Sequence, residues 1–549
     1  MKRRGIAYNG RMKPQTLLAL MALAVISISA NAANPFLPLW EYIPDGEPYV
    51  FEDPDAPGKM RVYVYGSHDN LRDKYCGRDQ VVWSAPVEDL NKWRFDGVIF
   101  RSLNGADGKP LNKNGLGDVL YAPDVAEVKG PDGKKTYYLY PNTQAWGRSN
   151  MVAKSDRPDG PFEVCNWDEK DPKKTVGPFG FDPAILVDDD GRVYGYWGFC
   201  RSFAAELDPK TMATVKPGAK IVEDMVSSCK AEGDFRFFEA SSMRKIKDKY
   251  VFIYSRWSAD GEFGLGGSNY TLGYAYSDKP LGPWTYGGTI IDGRGREKGP
   301  DGKTVATATP GGNTHGSICE INGQWYVFYH RQCGLDQYSR QAMVDPITVE
   351  VEEGPGGKVV ISEAEYTSQG FELGGLDPLE SHPAGIASHY TGPGGGWSDF
   401  PKFVHSGAYM QPFYADCYDE KDPYDPKVNR SVVTHVSAGS VVGYKYFNFD
   451  RTSGRDGLVL ELNVVPRGFD AKVEVWVGRP NAAEGGTRVG ESLISGELPD
   501  VRTTLEVDVS ALSKVGGKKA LYFVFGSAKK GHSICDVEDF RFAAAPVQK

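Results

Sequence analysis

FDPAILVDDDGRVYGYWG, residues 181–198, is a complete hairpin written out in sequence. Asp182 opens it, an apolar strand follows, Asp188-Asp189-Asp190-Gly191 supplies a turn, and an aromatic-rich strand returns. Short runs of β-branched and aromatic residues bounded by Gly, Asp and Pro read as antiparallel strands, because those residues supply the backbone angles a turn needs. Four further stretches follow the same plan. They are IPDGEPYVF with RVYVYGS (43–51, 61–67), APDVAEV with TYYLYPN (122–128, 136–142), FEASSMRKIKDKYVFIYS (238–255) and THGSICEINGQWYVFYH (314–330). From Asp124, Asp182, Glu239 and His315 the aromatic strand begins 13, 12, 11 and 10 residues later.

The outer half of the unit repeats as well. SDRPDGPF at 155–162 and SDKPLGPW at 277–284 lie 122 residues apart, which leaves room for two units of about 61 residues. Short strands repeated at this period predict four-stranded propeller blades. A single blade cannot bury both its faces, so the five must close into a ring. The residue opening each copy then lies near one mouth of the axial channel, which brings Asp45, Asp124, Asp182, Glu239 and His315 together. Burying carboxylates without a task is costly, so this set predicts a functional site.

Outward from the repeats the pattern changes. Residues 361–402 are rich in Gly and Pro and read as a return segment and linker. Within 403–549, runs such as SVVGYKYFNF, GLVLELNVV, AKVEVWVG and KALYFVFG alternate with turn clusters, the signature of an antiparallel sandwich. The predicted fold is all-β: a five-bladed propeller over 33–360 followed by a β-sandwich of jelly-roll type. At 549 residues the chain is long enough for two cores.

A net charge of −9 gives no basic field, which argues against nucleic acid as a partner. The N-terminus has a basic start (Lys2, Arg3, Arg4), an apolar run from Leu17 to Ser29, and Ala30-Asn31-Ala32 as a small-x-small cleavage site. That is a signal peptide over 1–32, so the mature chain is expected in the periplasm or outside the cell. The apolar run is shorter than the ~20 residues a membrane span needs, and no span is expected after cleavage. The eight cysteines have no C-x-x-C spacing, which argues against thiolate metal sites; export permits disulfides, which the sequence does not pair.

Four motifs in fixed order carry a family resemblance: PDG at 44–46, YAPDV at 121–125, FDPAILVDDDGR at 181–192 and FFEASSM at 237–243, with SRQAMVDP at 339–346 in support. Residues 33 to about 390 resemble glycoside hydrolase family 43, and about 403–545 resemble a family 6 type carbohydrate-binding module. The resemblance implies Asp45 as general base, Glu239 as general acid, and Asp182 as the residue that orients the acid and raises its pKa. It places His315 and Arg340 in the sugar pocket. Asp124 is either pocket wall or a structural hydrogen-bonding group; His315 is a sugar contact, an axial calcium or water ligand, or a core histidine. The sequence departs from the commoner family pattern in having PDGEP for PDP and FEASS for EGP, which leaves the subfamily open.

Inverting glycoside hydrolysis needs one carboxylate to activate water and one carboxylic acid to protonate the leaving oxygen, on opposite faces of the sugar. Acids on different blades facing across a channel meet that need, and a third acid beside Glu239 would hold it protonated by like-charge repulsion. Arg340 can bind sugar hydroxyls with its fork of donors. Glu232 is a rival acid that reads as loop surface. The expected activity is that of an α-L-arabinofuranosidase or β-xylosidase on arabinoxylan, arabinan or related glycans. Arabinanase and β-galactan-cleaving activities occur in the same family, and a non-catalytic glycan-binding protein is the alternative of another class. No cofactor is required, although a structural calcium ion is compatible with the family and the Asp188-Asp189-Asp190 run is either a calcium loop or a plain turn.

Overall fold

The computed structural model describes residues 33–544 except 72–73, 300, 310–311, 335–336, 393–407 and 411–431. The signal peptide expected over 1–32 and Cys417 lie outside the described residues.

The repeats fold as blades. Blade one is Glu47–Glu52, Met60–Gly66, Gln80–Pro86 and Arg94–Phe100, each strand antiparallel to the next. Blade two runs Asp124–Lys129, Lys135–Tyr140, Ala153–Ser155, Glu163–Val164, and blade three Ala184–Val187, Val193–Trp197, Phe203–Leu207, Val222–Glu223. Blade four is Phe237–Ile246, Lys249–Ser258, Ser268–Ser277, Thr285–Asp292, and blade five has three strands, Ser317–Ile321, Gln324–Gln332 and Arg340–Ile347. The repeated outer motif locks blades in pairs. Tyr65 of blade one donates its hydroxyl to Pro158 O at 2.7 Å, and Tyr196 of blade three donates to Pro280 O at 2.7 Å.

Closure of the ring joins the chain's beginning to blade five. Gly46 and Gly316 form a parallel bridge. A Cβ on Gly316 would stand 1.9 Å from Phe328 O, so the close approach there requires glycine. Asn34 accepts from Val344 N at 2.9 Å and donates to Thr367 O at 3.1 Å, which lays the first described residues along the outer strand of blade five. Phe36 packs among Trp93, Phe328 and Phe371.

The C-terminal region is two packed sheets. One holds Tyr409–Met410, Val433–Ser437, Ser533–Ala544, Leu458–Pro466 and Thr503–Asp508; the other holds His389–Thr391, Val441–Asn448, Lys518–Gly526, Ala471–Val477 and Thr487–Ile494. Strict alternation of buried and half-buried residues along Leu458–Pro466 and Ala471–Val477 shows one face of each sheet turned to the shared core.

Residues 361–402 are not merely a linker. His382–Pro383 pairs with Ser533–Ala544, and His389–Thr391 pairs with Val441–Asn448, so this stretch supplies two sandwich strands. Strands two and three residues long need only backbone pairing to form, and their Gly/Pro-rich surroundings conceal them from any alternation pattern. The two regions also share a core. One hydrophobic cluster runs from Ile253, Leu272, Tyr329 and Met343 of blades four and five into Tyr390, Val442, Phe447 and Phe540 of the sandwich. Arg331, fully buried, donates to Ala387 O at 2.9 Å and to Gln341 Oε1 at 3.0 Å, and also reaches Gly385 O. The hairpin Arg296–Lys298/Thr304–Ala306 carries Glu297 to an ion pair with buried Lys445 of the five-stranded sheet.

Candidate active site

Three acids enter one cavity of about 620 Å³, each from a different blade. Asp45 sits in the turn before the inner strand of blade one with φ 61°, and Asp182 precedes that of blade three with φ 47°. Glu239 lies within the inner strand of blade four, where the ladder breaks on both sides of it and Ala240 takes φ 68°. Left-handed backbone at non-glycine residues costs ~1–3 kcal/mol each and persists where surrounding bonds fix it. Here Asp45 N donates to His330 Nδ1 at 3.2 Å, and Ala240 N donates to Asp182 Oδ2 at 3.2 Å. Asp182 thus holds the backbone of the residue that follows the acid.

The environments of the acids differ in sign. Burial works to raise the pKa of Asp45, but Arg340 Nη1 at 3.3 Å, the His315 cation and a hydrogen bond from Ser67 Oγ outweigh it and hold the carboxyl below its ordinary value. Burial pushes Glu239 up to about 8, with Asp182 and then Asp45 adding like-charge repulsion against partial relief from His315 and Asn313. Asp182 is itself raised to about 7 by burial, eased by His315 and by hydrogen bonds from Ala240 N and Asn142 Nδ2, the latter at 2.9 Å. Near pH 6, Asp45 is a carboxylate and Glu239 a carboxylic acid.

Arg340 and His315 line the same cavity. The Arg340 guanidinium is fixed from behind by Asp69, whose two oxygens receive Nε and Nη2 at 2.8 Å each. His315 stands between Asp182 Oδ2 (3.8 Å) and Glu47 Oε1 (3.7 Å). Burial would lower its pKa, but these carboxylates raise it to about 9, so the ring is an imidazolium under the acid pair. Asp124, expected among the substrate-binding residues, does not line the cavity. Its carboxylate receives Tyr49 Oη at 2.6 Å and Ile185 N at 2.6 Å, so it ties blade two to blades one and three. A fully buried carboxylate flanked by strand ends satisfies its oxygens with them instead of with substrate. Glu232 is exposed and also outside the cavity.

Sequence reading missed four supporting residues. Asp69 follows the second strand of blade one in the polar run Ser67-His68-Asp69-Asn70, a cluster that could have marked it. Glu47 belongs to the PDGEP stretch that stands in place of the family's PDP; it receives Arg244 Nη2 at 2.8 Å beneath His315. Asn313 approaches both Glu239 Oε1 and Arg340 Nη1 at 3.5 Å. His330, hidden in an aromatic run, accepts from Asp45 N through Nδ1 and donates Nε2–H to Asn313 O at 2.8 Å. Burial keeps His330 neutral, with a pKa near 3, and the neutral tautomer makes both bonds.

Glu47 Oε1 and His315 Nε2 are buried without hydrogen bonds beneath the cavity, and the Arg244 cation lies on the other oxygen of Glu47; the protein would supply only part of the six to eight oxygens that calcium takes, a set that includes water. Among the described residues no group of three His, Cys, Asp or Glu forms a metal site. In the run at 188–190, Asp188 and Asp189 pair with Lys245 and Asp190 with Arg192, so that segment is a turn.

A five-bladed ring with an ionised carboxylate and a protonated carboxylic acid in one cavity has the equipment of a glycoside hydrolase. The family model for glycosyl hydrolases family 43 matches residues 59–354, and the chain belongs to that family. It is similar to a xylosidase/arabinosidase of Thermoclostridium stercorarium, 33% identical over 91% of this chain and 98% of the relative. Xylosidase/arabinosidase 43A of Humicola insolens is 31% identical over 54% of this chain and 89% of its own. A family 43 β-xylosidase/α-arabinofuranosidase from a compost microbial metagenome, solved with xylotriose in a calcium-free form, is 24% identical, covering 59% of this chain and 96% of that one at a TM-score of 0.40.

Proposed function

We propose that this hydrolase removes xylosyl or arabinofuranosyl residues from arabinoxylan-type glycans with inversion, acting as a β-xylosidase/α-L-arabinofuranosidase. One observation carries the chemistry: Asp45 and Glu239 face the same cavity with their proton affinities pushed in opposite directions. In the reaction a water oxygen attacks the anomeric carbon while Asp45 takes its proton. The bond to the leaving oxygen breaks as Glu239 delivers its proton there. Asp182 and the Ala240 amide keep Glu239 oriented, and Arg340, held by Asp69, keeps Asp45 ionised and offers donors to sugar hydroxyls. The relatives' names support the pentosyl specificity. Proton NMR of the first product from nitrophenyl xyloside or arabinofuranoside, read before mutarotation, tests the reading. An anomer opposite to the substrate's supports it; retention overturns the assigned roles.

The basic, apolar and small-residue segments of 1–32 support export, and N-terminal sequencing of secreted protein should begin at Ala33. We also infer that the sandwich is a carbohydrate-binding module of the family 6 type. Its alternating two-sheet pattern supports this, and the half-buried Trp476, hydrogen-bonded to Glu474 at 3.0 Å, offers a ring for sugar stacking. Unchanged retardation of the full-length Trp476→Ala protein in arabinoxylan gels would remove that ring from the binding surface.

A further inference from the structure

The cavity wall between blades three and four is aromatic. Phe181, Phe199, Phe238 and Trp257 follow one another with ring centroids 5.1, 5.1 and 5.3 Å apart. All four line the cavity, and Phe199 is 51% exposed, so packing alone holds it weakly. Its position depends on the backbone beside it. Cys200 N donates to Phe238 O at 2.6 Å, and Cys229 N donates to Phe237 O at 2.7 Å. Two segments therefore clasp consecutive carbonyls of the strand that carries Glu239, and their side chains meet, with Sγ to Sγ at 3.4 Å. Cys200 takes a left-handed conformation, φ 54°, to make this contact.

Among the described residues no disulfide is formed, and the thiols of Cys76, Cys165 and Cys319 have other neighbours. Cys76 lies 3.2 Å from Arg340 Nη2, Cys165 Sγ contacts Val152 O at 3.5 Å, and Cys319 Sγ contacts Glu320 O at 3.7 Å. Cys200 and Cys229 are both partly exposed, so a small oxidant reaches them.

We propose that Cys200 and Cys229 form a reversible disulfide that fixes the aromatic wall of the cavity, making substrate affinity respond to redox state. The oxidant class is a small-molecule disulfide such as oxidised glutathione. One thiolate attacks it, forming a mixed disulfide and expelling one thiol. The second thiolate attacks the protein sulfur of that intermediate, closing the Cys200–Cys229 bond and expelling the second thiol. Two protein S–H bonds are lost, and the oxidant's S–S is reduced to two thiols that take up the protons. Burial and the neighbouring Cys229 push the Cys200 thiol up to about 11, with Lys230 lowering it and Glu239 raising it further. A step in which Cys200 is the attacking thiolate should therefore quicken as pH rises toward that value.

The test uses the full chain, incubated with oxidised or with reduced glutathione. Peptide mapping of the oxidised protein should find residues 200 and 229 joined, with a mass lower by two hydrogens. The joined peptide should vanish in Cys200→Ser and in Cys229→Ser. A different pairing, or none under oxidation that blocks the exposed thiols, overturns the bond. Oxidised wild type should show a KM for xylo-oligosaccharides about threefold below that of the reduced form, the scale of one ordered aromatic contact, with kcat little changed. The same KM in both states overturns the role in affinity. The mapping does not depend on the sugar hydrolysed, so a wrong substrate assignment and a wrong disulfide fail separately.

Discussion

The propeller mouth and the sandwich are both antiparallel β-structure, yet they carry backbone strain very differently. Around the cavity, Asp45, Cys76, Asp182, Cys200 and Ala240 all hold left-handed backbone; among the described residues beyond 361, His435 is the non-glycine residue that does so. Buried polar atoms without hydrogen bonds include Glu47 Oε1, His315 Nε2 and Asn142 Oδ1 beneath the cavity, and His382 Nδ1 and His389 Nδ1 on the short strands that join the sandwich. In the sandwich, buried Asp536 receives Thr434 Oγ1 at 2.8 Å, and the core alternates cleanly. Left-handed backbone at Asp45, Asp182 and Ala240 presets the placement of the reacting acids, a cost that the rest of the fold must tolerate.

The largest effect that would break this comparison is removal of the sandwich. A chain ending at Ile361 exposes the apolar face that Ile253, Leu272 and Met343 share with Val442 and Phe540, and leaves Arg331 without Ala387 and Gly385. It should be insoluble or unfolded by circular dichroism. A soluble, fully active fragment would show the sandwich to be dispensable.

Next are the two acids. Asp45→Ala and Glu239→Ala should each lower kcat by about 10²–10⁴-fold on natural xylo-oligosaccharides. Glu239→Ala should largely spare nitrophenyl substrates, whose leaving group needs no proton, whereas Asp45→Ala should cripple both kinds. Azide should partly rescue Asp45→Ala and yield a glycosyl azide of inverted configuration.

Lys445→Met sharpens the boundary between the regions. Burial works to raise the pKa of Glu297, but Lys445 and, after it, His389 hold it well below the carboxylate range; the substitution removes the stronger of these two and leaves the Glu297 carboxyl buried. An abandoned buried charge costs about 3–5 kcal/mol, read as a lower Tm with kcat unchanged. In the wild type, a depressed Glu297 contributes stability above its ordinary pKa that is lost as pH falls toward its folded value. The penalty of Lys445→Met should accordingly shrink in acid.

His330→Ala removes the acceptor for Asp45 N and the donor to Asn313 O. Loss of these two positioning bonds should lower kcat by about tenfold at unchanged KM. An unchanged kcat would reduce His330 to packing.

The smallest effect is a displacement of the pH profile. Glu239 must be protonated, so activity falls as pH rises through about 8. Asp182→Asn removes like-charge repulsion, lowers the Glu239 pKa and moves the alkaline limb to lower pH by about one unit. The acidic limb, set by Asp45, should stay in place.

The sequence alone determined the blades, the order of the acids along the chain and the alternation of the sandwich strands, because turns and burial periods are written between neighbouring residues. The tertiary structure decided the remainder. Arg340 meets Asp69 across 271 positions, Asp124 is consumed by Tyr49 and Ile185, and His382 and His389 leave an apparent linker to pair with distant strands. The divergence of Asp45 from Glu239 belongs to the same class: two carboxyls of similar intrinsic acidity differ because closing the ring sets a guanidinium beside one and a second carboxylate beside the other. No local pattern encodes that, since a proton's affinity is fixed by burial and by charges that only the fold brings near.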